Sequence, residues 1–238
     1  MRYVAFSPLR SCVPFGNRCT YGYNRTMSEL GPIIETIRGE LTAKNHVRDL
    51  TLNRSRELIR FCALSIRAVH RHEWADAAAG LQTARQAAAV MSADLAAYPD
   101  MYDAGYTQDA LKELAEAHVL YAFVRGEAVP GPAELGMPAA AYLNGLAEAA
   151  SELRRFVLDL IRLGRTTEAE PFLDQMDEVY SYLVTMDFPD ALTGGLRRTT
   201  DALRGVLERT RGDLTVAVHQ EELAAALRAF DARIAKAI

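Results

Sequence analysis

Cysteine is scarce in this chain. Cys12, Cys19 and Cys62 are the only three in 238 residues. Cys12 and Cys19 stand seven apart with no second pair downstream, which excludes the paired-cysteine zinc motifs and a disulfide-stapled secreted scaffold. Cys62 falls inside an apolar helical pattern and reads as a buried thiol, and the cysteine usage fits a reducing, cytoplasmic compartment. Long apolar runs are also missing: no stretch reaches the roughly 18 residues needed to span a bilayer. Residues 1–26 carry Pro and Gly but no continuous apolar segment, so they do not read as a signal peptide. They differ from everything after Met27 and are expected to form a flexible tail outside the working domain, 27–238. Runs of β-branched residues are nearly absent, which argues against sheet. The phosphate-cradling P-loop, the GxGxxG turn, the two-histidine zinc helix and the nucleophile elbow are all missing. Charge of one sign is not in large excess. With a formal net charge of −4, a nucleic-acid-binding chain must gather its basic residues on one surface.

What is present is helical. Half of the residues are apolar and 24% are charged, with Ala, Leu, Glu and Arg dominant, a globular all-α composition. The pattern predicts a first helix from about residue 29 or 43 to 72, its start blurred by Gly31-Pro32 and Gly39. A second covers about 75–96. A turn-rich loop follows at 98–107, with Thr107 as N-cap of a third helix to 125. The clearest loop is 126–138. A fourth helix spans about 139–163 and stops at Gly164, and a fifth runs to the break at "DFPDALTGG". A sixth and a seventh, the latter from Thr215, close the chain. The architecture expected is a single bundle of six or seven helices.

The fourth helix contains "AAYLNGLAEAASELRRF". On a wheel at 100° per residue, Asn144, Glu148, Ser151, Glu152 and Arg155 fall on one side, and Leu143, Leu146, Ala150, Leu153, Val157 and Leu160 opposite. Taken alone, this is the solvated face of an amphipathic helix. Two glutamates four apart nevertheless repel. The third helix, "DALKELAEAHVLYAFV", holds Glu113 and Glu116 three apart on one face. It is apolar almost all round, through Leu111, Leu114, Val119, Leu120, Tyr121, Phe123 and Val124. Carboxylates embedded there are expected to be partly buried, and buried carboxylates are normally paired or bound to a metal. Two helices each offering a carboxylate pair can build a divalent-metal site. Oxygen ligands with no histidine among them point to Mg²⁺, Mn²⁺ or Ca²⁺ rather than zinc.

In "NRSRELIRFCALSIRAVHRHEW", Arg56, Arg60, Arg67 and Arg71 lie within about 60° on a wheel, with His70 and His72 near the same end. The stripe reads equally as a solvated arginine face or as a positive track for phosphates. Trp74, the only tryptophan, reads as a core or interface anchor.

These segments resemble the translin and Trax (translin-associated factor X) family. "AYLNGLAEAASELRRF" is similar to its most characteristic helix, with a Tyr-Leu-x-Gly segment, an acidic turn and then Ser-Glu-Leu. "RELIRFCALSIRAVHRHEWADA" resembles the long first helix, and "MDEVYSYLVTMDFPDALTGGLRRTTDALRGVLERTRGDLT" the C-terminal helices. The likeness runs from Met27 to about Leu227. It implies a seven-helix fold assembling into hollow, roughly octameric homo-oligomers that bind RNA and single-stranded DNA on an inner basic surface. For Trax-like members it implies Mg²⁺-dependent endoribonuclease activity from four acids. By position in the matching segments these are Glu113, Glu116, Glu148 and Glu152, with Glu148 standing where active members usually carry Asp. The expectation is a single-stranded-RNA-binding, Mg²⁺-dependent (or Mn²⁺-dependent) endoribonuclease. The alternative is a translin-like scaffold that binds nucleic acid without cleaving it.

Overall fold

The computed structural model describes residues 27–237, and the expected tail at 1–26 lies outside the described residues. Every regular element among the described residues is a helix: α1 (Met27–His70), α2 (Trp74–Asp94), α3 (Pro99–Tyr102), α4 (Gly105–Arg125), α5 (Pro132–Leu135), α6 (Ala139–Arg162), α7 (Thr166–Leu183), α8 (Asp190–Thr193) and α9 (Leu196–Ala237). The all-α expectation holds. By its internal contacts the chain divides into Met1–His46 and Val47–Ile238.

In the first unit, α1 exposes Leu30, Ile33, Ile34, Ile37 and Leu41, an apolar stripe at helical spacing. Gly31, Pro32 and Gly39 do not interrupt it. Pro32, in the second turn, lacks the N–H that would bond four residues back, and the helix continues through it.

The second unit is organised around α6, which packs against α4, α7 and α9, while α2 lies on α4. One core cluster gathers Leu58, Cys62, Leu81, Met91, Leu95, Leu111 and Leu114. Another joins Val69, Val119, Leu120, Leu153, Phe156, Met176 and Leu207. Of these, the sequence pattern placed Leu111, Leu114, Val119 and Leu120 on the apolar third helix and Leu153 on the apolar side of the fourth, and Cys62 is fully buried as expected. Trp74 is half-buried against the second cluster, with the Arg125 guanidinium over its ring at 5.2 Å.

Three local expectations are corrected. Thr107 is not the N-cap of α4. The helix begins three residues earlier than expected, behind Ala104, and the buried Thr107 hydroxyl donates to the Met101 carbonyl oxygen at 2.8 Å. The one-turn helix α3 supplies that acceptor, so the hydroxyl ties two elements together instead of capping one. The two clearest loops each contain one helical turn, α3 and α5, both opened by proline at a helix start. The predicted break before Thr215 is absent, and α9 is continuous. Gly212 alone disfavours helix by only about 1 kcal/mol. Around it Leu214 is buried, and Arg154 of α6 binds Thr210 at 3.0 Å and Asp213 at 2.7 Å. By contrast, Gly126 ends α4 as a left-handed C-cap at φ 65°.

One glycine controls the packing of α6. A Cβ on Gly145 would lie 2.5 Å from the Lys112 carbonyl oxygen, 2.6 Å from Ala115 Cβ and 3.0 Å from the Glu116 nitrogen. Helix propensity alone would favour Gly145→Ala by about 1 kcal/mol, but two of the three obstacles are backbone atoms that cannot turn aside. The clash should win, with a net loss of about 1–3 kcal/mol read from urea midpoints. A Gly145→Ala protein as stable as wild type would show that α4 and α6 separate easily.

Candidate metal centre

The close crossing at Gly145 sets the next turn of each helix face to face. From α4 come Glu113 and Glu116, and from α6 comes Glu148. One carboxylate oxygen from each lies within 4.8 Å of the others. Glu113 and Glu148 are half-buried, and Glu116 is only 8% exposed. Glu116 takes part in no hydrogen bond or ion pair among the described residues. Burial, followed by the charges of Glu113, Glu148 and Glu152, pushes its carboxyl up to about 8. Burial also raises Glu113.

Two basic side chains border the cluster. Lys112 Nζ donates to Glu148 Oε1 at 2.8 Å and stands 3.9 Å from Glu113 Oε1. Burial works against its charge, but the Glu148 bond and the surrounding carboxylates leave the ammonium above its usual range. His70, at the end of α1 with only 2% of its side chain exposed, places Nε2 2.9 Å from Glu152 Oε2. Its hydrogen bond holds Glu152 below the usual carboxylate range. An ionised carboxylate only accepts, so Nε2 carries the proton. The imidazole stacks on Phe156 at 4.8 Å, and its buried Nδ1 has no partner. Below the carboxylates lies Cys62, whose thiol is pushed up to about 12 by burial and then by Glu113 and Glu116, which keeps it out of metal chemistry at neutral pH.

Of the four acids singled out in the sequence, Glu113, Glu116 and Glu148 converge, while Glu152 is held on His70. The donor set suits a hard divalent cation. It is all carboxylate oxygen, and its most buried member has no partner of its own. Sequence reasoning missed Lys112 and His70 as parts of this centre. Lys112 stands beside Glu113 in "KELAEAH", where neighbours do not share a helix face, and only its long stem brings it across to α6. His70 was grouped with the arginines because α1 was read without knowing what its last turn faces.

The four stripe arginines are all exposed. Arg60 pairs with Glu57 at 3.5 Å and Arg71 with Glu73 at 2.6 Å. Arg56 and Arg67 are in no ion pair among the described residues. Exposed pairs of this kind are weak, so the stripe stays open to a polyanion.

No protein-family model matches the chain. An uncharacterized protein of Methanocaldococcus jannaschii is 30% identical over 209 residues, which cover 86% of this chain and 91% of that protein. The crystal structure of AfC3PO aligns with a TM-score of 0.72 at 31% identity, covering 79% of this chain and 97% of that one. AfC3PO in complex with duplex RNA gives 0.68 at the same identity and coverage. Apo-NeC3PO, 19% identical, shares the fold with a TM-score of 0.70 over 78% of this chain and 97% of that one. The fold is that of an all-α, translin-like helical protein. The chain belongs to the translin/Trax family.

Glu116 makes stability depend on pH in a direction opposite to that of an ordinary paired carboxylate. Its folded value, about 8, lies above its ordinary 4.5. Between these values the folded chain keeps a proton that the unfolded chain has lost, so stability falls as pH rises, by at most about 1.4 kcal/mol per unit. In EDTA, urea midpoints should therefore drop from about pH 5 to about pH 8, and Glu116→Gln should flatten that slope. Glu152, depressed by His70, acts only below its ordinary value, whereas the raised Glu113 adds to the fall and the lowered His118 opposes it below its ordinary 6.5, so the difference between the wild-type and Glu116→Gln slopes is what isolates Glu116. An unchanged slope in the variant would place the proton on another group.

Proposed function

We propose that this protein binds single-stranded RNA and cleaves it as a Mg²⁺-dependent endoribonuclease, and that it works in the cytoplasm as a hollow homo-oligomer. The observation that carries the reading is Glu116, a buried carboxylate without a partner beside Glu113 and Glu148. RNA as the ligand is supported by the structural match, at 31% identity, to AfC3PO in complex with duplex RNA, and by the exposed stripe of Arg56, Arg60, Arg67 and Arg71. Assembly is supported by exposed apolar residues: Leu30, Ile33, Ile34, Ile37 and Leu41 in the first unit, and Leu223, Leu227, Phe230 and Ile234 late in α9. No helix of the described residues is long and apolar enough to cross a membrane, so these stripes suit other protein surfaces.

Glu113, Glu116 and Glu148 would hold the cation, with Mn²⁺ as an alternative to Mg²⁺, and Glu152 would complete the acidic set. When bound, Mg²⁺ supplies neutralisation of a phosphate and a lowered pKa for an attacking water. His70 keeps Glu152 anionic and fixes one of its oxygens. The arginines bind and orient the strand. Single-strand binding through phosphates should lose affinity with salt at roughly 0.7 counterions per contact.

A second reading, a nucleic-acid-binding scaffold without chemistry, has one observation in its favour. Lys112 already gives Glu148 a cation. Single-turnover cleavage of labelled single-stranded RNA, in Mg²⁺ and in EDTA, separates the two readings. Changing Glu113, Glu116, Glu148 or Glu152 to Gln should each remove most cleavage while RNA affinity holds or rises slightly. Glu148→Asp, the residue usual in active relatives, should keep or raise the rate. Gln variants that cleave at wild-type rates would remove the carboxylates from the chemistry.

Binding has its own test. Arg60→Glu together with Arg67→Glu should weaken binding to RNA of any sequence and flatten its salt dependence. An unchanged affinity and salt slope would make the stripe merely solvated. Light scattering should give a mass several times the 26.3 kDa of one chain, and a monomer at micromolar concentration would end the shell model.

A further inference from the structure

Lysine is rarer than the charge total suggests. Lys44, Lys112 and Lys236 are the only three, and arginine supplies the remaining basic charge. One of the three is placed in the candidate metal centre. Lys112 is 23% exposed, hydrogen-bonded to Glu148 Oε1 and within ion-pair distance of Glu113. It therefore contacts two of the three carboxylates whose oxygens converge. The ammonium and a divalent cation drawing on the same oxygens would stand only a few ångströms apart. Repulsion between them at that range, partly out of water, is severe. Glu148 Oε1 cannot serve both at full strength.

The surroundings offer the ammonium somewhere else to go. Lys112 and Glu148 both line an open cleft of about 570 Å³ beside α4, α6, α8 and the start of α9, whose other charged lining residues are Arg198, Asp103 and Asp109. A compact charge on a flexible four-carbon stem can change partners by rotating, which the planar guanidinium fork of arginine does less freely. Asp109, one turn earlier on α4, also interacts electrostatically with Lys112.

We propose that Lys112 is the built-in counter-ion of the carboxylate cluster, and that a divalent cation loads the site by exchange, the ammonium leaving Glu148 and turning into the cleft. This rests on the reading that Glu113, Glu116 and Glu148 hold such a cation. Exchange means that the metal meets a site whose competent form is only part of the population, and its apparent affinity is reduced by that fraction. It also means that occupancy changes the cleft, in which the ammonium is present far more often once metal is in place.

Two measurements on the full-length protein test this. In the first, wild type is acylated with N-hydroxysuccinimidyl acetate at increasing Mn²⁺, and lysine peptides are quantified by mass spectrometry, with Lys44 and Lys236 as internal references. Lys112 should react severalfold faster in saturating Mn²⁺, while the other two stay constant. In the second, Mn²⁺ binding is measured by calorimetry for wild type, Lys112→Met and Lys112→Arg. Lys112→Met should bind about tenfold more tightly if the lysine is in place nine-tenths of the time, and Lys112→Arg should not gain. Mn²⁺ bound by Lys112→Met but not by wild type supports the exchange as well. Equal affinities, or Lys112 reactivity unchanged while Mn²⁺ demonstrably binds wild type, overturn the exchange and leave the metal reading standing. Absence of Mn²⁺ binding in both wild type and Lys112→Met overturns both. Should Lys112→Met fail to fold, the acylation of wild type decides alone.

Discussion

At Gly145 the backbones of α4 and α6 approach so closely that no side chain fits between them. Ala115 of α4 lies directly against Gly145, and Ala141 and Ala149, one turn either side of it on α6, are buried in clusters shared with α4. Small residues at a crossing let helix axes come together, and distance between axes decides which side chains can share a ligand. With α4 and α6 a normal helix diameter apart, Glu113 and Glu116 would be neighbours on one helix and Glu148 a charge on another. Drawn together at Gly145, their oxygens fall within the span of a single ion. The carboxylate cluster, the raised Glu116 and the Lys112 bridge all depend on this one contact.

The contact carries an energetic burden. Like charges are held together out of water, and the protein answers with two different devices. Lys112 and His70 neutralise or orient the outer members, Glu148 and Glu152. Glu116, deepest of all, receives nothing and holds on to a proton into the neutral range. An arrangement built only for stability would pair or remove such a group, since a buried polar group left without a partner costs free energy. Its retention beside the pairs at its rim is what supports reading the cluster as a place that could hold a metal ion.

The acidic residues were legible because each pair is local: spacings of three and four put carboxylates on one helix face whatever the fold. Their mutual approach was not, because it depends on a glycine whose role is visible only when a second backbone lies against it. The helical wheel of α6 separated polar from apolar correctly, but the polar side proved half-buried, with Asn144 inside the protein. Periodicity reports which face is apolar and cannot report that a neighbouring helix covers the polar one. The same limit explains Lys112 and His70, whose partners lie 36 and 82 residues away in the chain. It explains the continuous α9 too, where Arg154 on another helix holds together a stretch that local propensity would have broken.

Asn144 is a mechanical link between three helices. Its amide nitrogen donates to the Thr193 carbonyl at 2.8 Å and to Ala140 at 2.9 Å, and its oxygen accepts from the Thr199 hydroxyl at 2.6 Å. One buried side chain thus rivets the end of α8 and the first turn of α9 to α6, one turn ahead of Glu148. Pulling α8 away breaks the bond to Thr193 and loads the helical turn on which Glu148 is mounted. A push on that flank of the cleft is therefore passed through hydrogen bonds into the turn that carries Glu148, not absorbed by a loose hinge.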